Sequence, residues 1–174
     1  MSPHSRESDR RQLERLVQYL RPTDKDPIYL VLKTHLVVEE VLIDFLRRQA
    51  PNPKHIDEVR LNFSQLVSLA QAFYRFRDHE WWVWPSLKKL NSLRNLLAHN
   101  LEPRDLTDRI ADLSVFVAEA IGATSDSDIA KSYEKLATTG VHPFVLALVA
   151  LHMALSTGLG YDPEEMMKPA KQLP

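Results

Sequence analysis

Apolar residues recur along this chain at intervals of three and four rather than two, the period of helices that bury one face. A first helix is predicted from about Asp9 to Leu20, with Leu13, Leu16, Val17 and Leu20 on one side. "RPTDKDP" breaks it. Asp26 is a good N-cap and Pro27 a good first helical residue for a second helix that runs to about Gln49, before "APNPK". A third begins at Asn62 or Ser64 and continues to about Phe76, burying Phe63, Leu66, Val67, Ala70 and Phe73. "RDHEWWVWP" leads into a fourth, starting at Pro85 or Ser86. A fifth opens at Pro103 with a seam of Leu106, Ile110, Leu113, Val117 and Ala120, and stops at Gly122. "TSDSD" caps a short sixth helix that faces Ile129, Tyr133 and Leu136 inward and ends at Gly140. A seventh runs from Pro143 to about Ser156 and is apolar almost all round, so it is either fully buried or shared with another subunit. The pattern predicts an all-α up-and-down helical bundle: a single domain over 1–157, with C-terminal helices over 126–157 and a loosely ordered tail over 158–174.

Composition narrows the chemistry. The 174 residues carry a formal net charge of -1, so no global field draws the chain to nucleic acid or membrane, and any polyanion site must be local. The absence of cysteine excludes disulfides, thiolate metal sites and cysteine nucleophiles. The polar start "MSPHSRESDRRQLERL" lacks the apolar core of a signal peptide, and "PFVLALVALHMAL" is short of a bilayer span. A cytoplasmic protein is the simplest reading. No glycine-rich phosphate loop, GxSxG or HExxH pattern occurs, and no cofactor or metal is expected.

Two polar groups interrupt the seams. In "DPIYLVLKTHLVVEEVLIDFLRR" the positions Ile28, Leu32, His35, Glu39, Leu42 and Leu46 step by four and three. His35 and Glu39, four apart, therefore sit mid-line and can touch. In "LKKLNSLRNLLAHN", Leu87, Leu90, Arg94, Ala98 and Leu101 share a face with Arg94 at its centre. An unpaired guanidinium there is costly, and Glu39 is the acid placed centrally in a neighbouring seam, so an Arg94–Glu39 pair is expected. Asn95 and His99 lie four apart on the flank and can line the same depression. On spacing alone the pair reads first as a structural bridge, and His35 as a hydrogen-bonded core histidine.

"LNSLRNLLAHN" resembles the signature of the HEPN superfamily: an arginine, a polar residue that is commonly asparagine, three more positions, then histidine, near the end of a bundle helix. Arg94, Asn95 and His99 match it. "HLVVEEVLIDFL" resembles the preceding long helix of such domains, where an acid faces the arginine, and "LNFSQLVSLAQAF" resembles the intervening helix. The resemblance spans about Ile28 to Leu101 and places a HEPN-like core at about 26–121. It implies a homodimer whose arginine–histidine helices face each other across a cleft. Catalytic members are metal-independent endoribonucleases, commonly toxins or antiphage effectors, with RNA and a cognate antitoxin as partners; others keep the fold as a binding or regulatory module.

RNA carries its own nucleophile, the 2′-hydroxyl beside the scissile phosphate. Cleavage needs a proton acceptor, a proton donor and a cation for the charge at phosphorus. The resemblance gives His99 the proton transfers and Arg94 the phosphate. Asn95 would orient either one, and Glu39, with His35 beside it, would hold Arg94 in place. Lys88, Lys89 and Arg104, with Arg75 and Arg77, can track a phosphate backbone or serve simply as solvated surface. Trp81, Trp82 and Trp84 can stack on unpaired bases, or pack beneath the loop or at a dimer contact. Arginines opposite the apolar stripe of the first helix suit an arm around a partner, with core packing of that stripe as the alternative.

Overall fold

A computed structural model describes residues 26–74, 81–100, 103–123, 128–138 and 141–160. They form an all-α structure of seven helices: α1 (Pro27–Gln49), α2 (Lys54–Glu58), α3 (Phe63–Phe73), α4 (Val83–His99), α5 (Leu106–Gly122), α6 (Asp128–Ala137) and α7 (Pro143–Gly160). The expected helix at Asp9–Leu20, Arg75, Phe76, Arg77, Leu101, the "TSDS" of the sixth cap, Gly140 and the expected tail from residue 161 on lie outside the described residues.

Local chemistry explains the boundaries. The Ile28 N–H donates to Asp26 Oδ1 at 2.9 Å while Pro27 fills the first helical position, where a missing N–H costs nothing. At α3 a reciprocal capping box forms. The Gln65 N–H donates to Asn62 Oδ1 at 3.0 Å, and the Asn62 N–H donates to Gln65 Oε1 at 2.9 Å. The start of α4 is two residues earlier than Pro85, which then sits within the first turn and is tolerated there. α2 was not expected; it follows the proline-rich break, and Arg47 of α1 holds it through Asp57 at 2.6 Å.

The core gathers buried residues from α1, α3, α4, α5, α6 and α7. α7 lies at its centre, packed on α5, α1, α6 and α4, with Phe144, Leu148, Leu151 and Leu155 sealed from solvent. Of the two fates open to an all-apolar helix, burial within one chain is the one realised. The Phe144 N–H donates to His142 Nδ1 at 3.2 Å at its start. The helix continues to Gly160, so the loosely ordered tail expected from residue 158 is wrong for 158–160. Gly158 is required there because the Trp81 indole lies directly on it: a Cβ would stand 2.6 Å from Trp81 Cζ2. Trp81 also stacks on Tyr74 at 4.9 Å and meets Trp84 edge-on at 5.1 Å, so these two tryptophans are packing groups.

Two burial expectations are corrected. Phe73, at the end of α3, is exposed. On α1 the buried residues are Leu30, Val31, Thr34, His35, Val38, Val41, Leu42, Phe45 and Leu46, whereas Ile28 and Leu32 of the expected seam face outward. The helix is apolar over more than half its circumference, and α3, α4 and α7 pack against a face rotated from the one first drawn. None of the described helices is long and apolar enough to cross a membrane.

Candidate functional site

The N-terminal end of α3 abuts α1 and α4, and where the three meet the surface opens into a polar depression of about 450 Å³. His35 and Glu39 come from α1; Asn62, Phe63 and Ser64 from the start of α3; Asn91, Arg94 and Asn95 from α4. Phe63 is the one apolar residue of this lining.

His35 forms the inner wall. Its ring stacks on Phe63 with centroids 4.0 Å apart, and Nε2 lies 3.4 Å from Asn91 Oδ1. The Asn91 Nδ2–H in turn donates to Ser64 Oγ at 3.2 Å, joining all three helices. Burial holds the His35 pKa below its ordinary value; the Asn91 hydrogen bond pulls the other way, and the charge of Arg94 lowers it further. The ring is therefore neutral at pH 7. Because Asn91 Oδ1 can only accept, the single ring hydrogen lies on Nε2, which leaves a lone pair on Nδ1. Nδ1 lies 3.8 Å from Glu39 Oε2, beyond hydrogen-bond distance. The half-buried Glu39 carboxylate thus keeps its acceptor capacity for something else.

Arg94 departs from expectation. Its side chain is exposed rather than buried, its Nη1–H donates to Asn95 Oδ1 at 3.3 Å, and no salt bridge joins it to Glu39. The seam of α4 explains this: it proceeds from Leu90 to Leu93, with Leu97 packed on the core, and not from Leu90 to Arg94 and Ala98. The i+3 branch was taken instead of i+4, and Arg94 was turned to the flank. There it still shares the depression with Glu39 and lies close enough to His35 to perturb it. Asn95 shares it too.

His99 ends α4, exposed, and is not among the residues lining the depression. Lys88 is exposed, about 120° around α4 from Arg94 at roughly 100° per residue. Lys89 pairs with Asp112 of α5 and lies 5.3 Å from the Phe116 ring, and Arg104 is exposed in the turn before α5. None of these three cations is among the residues lining the depression. Asn91, Asn62, Ser64 and Phe63 were not singled out as site residues. For Asn91 a signal existed, since it stands one turn before Asn95 on the face that Arg94 shares. Among the described residues no three histidine, aspartate or glutamate side chains gather closely enough to hold a metal ion.

No protein-family model matches the chain, and no curated protein or solved structure is significantly similar to it.

Proposed function

We propose that the protein is a HEPN-like, metal-independent endoribonuclease of the toxin or antiphage type that works as a homodimer. The observation that carries this reading is the C-terminal half of α4, where Arg94, Asn95 and His99 are all exposed and the first two open onto a polar depression. A phosphodiester can reach a guanidinium placed this way; it could not have reached one sealed in the bundle. Arg94 donates to the non-bridging phosphate oxygens as the 2′-oxygen attacks phosphorus. An imidazole takes the 2′-hydroxyl proton, the P–O5′ bond breaks, and a second imidazole protonates the leaving 5′-oxygen. The products are a 2′,3′-cyclic phosphate and a 5′-hydroxyl.

One protomer offers a single His99, and a two-fold partner supplies the second. An apolar stripe of α1 supports such pairing: Ile28, Tyr29, Leu32 and Leu36 are 39%, 37%, 41% and 56% exposed and run alongside Glu39. Covering that stripe with a second copy would bring the two depressions toward each other.

The test is incubation of the purified protein with total RNA in excess chelator. Cleavage with cyclic-phosphate ends by the wild type, lost in His99→Ala, is expected. Cleavage that needs added magnesium, or that His99→Ala leaves intact, refutes the mechanism. The second reading, a non-catalytic HEPN-type binding or regulatory protein, is favoured by His99 standing outside the depression and by the net charge of -1. Intact RNA with both proteins would favour it over the first.

A further inference from the structure

Glu39 and Arg94 face one cavity without pairing, and each keeps unused bonding capacity. A carboxylate offers two adjacent acceptors. Among the RNA bases, only guanine presents two adjacent donors on one edge, N1–H and N2–H. Adenine and cytosine place a ring-nitrogen acceptor there, which a carboxylate repels. Uracil places a single N–H between two carbonyls.

The rest of the lining fits the same base. The Phe63 and Ser64 N–H groups, first in α3, have no acceptor within the helix, and neither Asn62 Nδ2 nor Asn95 Nδ2 has a hydrogen-bond partner among the described residues. Any of these can donate to guanine O6. The volume, about 450 Å³, lies in the ~300–1,000 Å³ range of small-ligand sites and accommodates a nucleotide. Arg94, at the exposed side of the cavity, is left for the phosphate.

We propose that the depression between α1, α3 and α4 is a guanine-reading pocket, in which Glu39 selects the base and Arg94 receives the phosphate on its 3′ side. This rests on the ribonuclease reading and makes Glu39 a specificity residue that touches substrate. The chain would therefore cut RNA on the 3′ side of unpaired guanosines.

Calorimetric titration of the full chain with 3′-GMP, 3′-AMP, 3′-CMP and 3′-UMP tests it, with inorganic phosphate as control. Two hydrogen bonds to a charged acceptor predict 3′-GMP binding at least about tenfold tighter than the others. Glu39→Gln, which keeps the shape and offers one acceptor for two donors, should bring all four within about twofold while the melting temperature holds. Arg94→Ala should weaken all four alike. Equal affinities in the wild type, no 3′-GMP binding at millimolar concentration, or a guanine preference that survives Glu39→Gln overturns the pocket. The two readings fail separately. RNA cleavage without guanosine preference sinks the pocket and spares the nuclease, whereas selective 3′-GMP binding without cleavage does the reverse.

Discussion

His152 makes this protein sensitive to acid in a calculable way. It lies in the middle of α7 with no solvent exposure, and burial lowers its pKa from 6.5 to about 4. The folded chain therefore resists a proton that the unfolded chain accepts readily. Above pH 6.5 both states are neutral at this site and the full stability is present. As pH falls below 6.5 the unfolded state is protonated first, so stability declines until the folded site also titrates near pH 4. A shift of about 2.5 units at ~1.4 kcal/mol per unit gives a loss on the order of 3 kcal/mol across that window. Against a typical total of about 5–15 kcal/mol, this is a large share. The perturbation is His152→Leu, and the assay is urea denaturation of both proteins at pH 7, 6, 5 and 4. The two proteins differ only at this side chain, so the difference between the curves reports the imidazole. The wild type should lose on the order of 3 kcal/mol more than His152→Leu between pH 7 and 4. Curves that fall in parallel would show that His152 takes up its proton in the fold as easily as in water, and would refute the reasoning.

Two further outcomes are expected. Gly158→Ala should lower stability by about 1–3 kcal/mol, the usual cost of overpacking, because its methyl group would meet the Trp81 ring; an unchanged melting temperature would show that the indole moves aside freely. On the proposed homodimer, Leu36→Glu, on the exposed stripe of α1, should turn the dimer of the 20.0 kDa chain into a monomer in light scattering without loss of helicity; a wild type that is already monomeric, or a dimer that persists in the variant, refutes pairing through that stripe.

The elements that were legible in sequence are those punctuated by chemistry. Asp26 with Pro27 marks the start of α1 to the residue, because caps act over three or four positions and need no tertiary partner; the start of α3 is legible only to between Asn62 and Ser64, and its Asn62–Gln65 capping box emerges from the structure. α7 was recognisable from its unbroken apolar surface, although its true end came later than Ser156 because Gly158 there serves as a seat for Trp81. Faces were harder to read than elements. On α1, both the drawn seam and the observed one satisfy three-and-four spacing. On α4, Leu93 and Arg94 are both lawful successors of Leu90. A difference of one residue, about 100° around the helix, decided whether the guanidinium was core or surface.

The candidate site shows the same division. His35, Glu39, Arg94 and Asn95 were singled out from their positions on two helices, and the fold brings all four to one depression. The part played by α3, with Asn62, Phe63 and Ser64, and the bonding of Asn91 to both neighbouring helices, had no local signature.

The sequence by itself determined that the chain is helical, where most helices begin, and which polar residues stand among apolar ones, because those properties depend on neighbours within a turn or two. Only the tertiary structure decided which face each helix buries, that His35 stacks on Phe63, and that Arg94 opens to solvent beside Glu39. Those outcomes follow from how surfaces distant in the chain fill space together. Close packing chooses among faces that periodicity leaves equivalent.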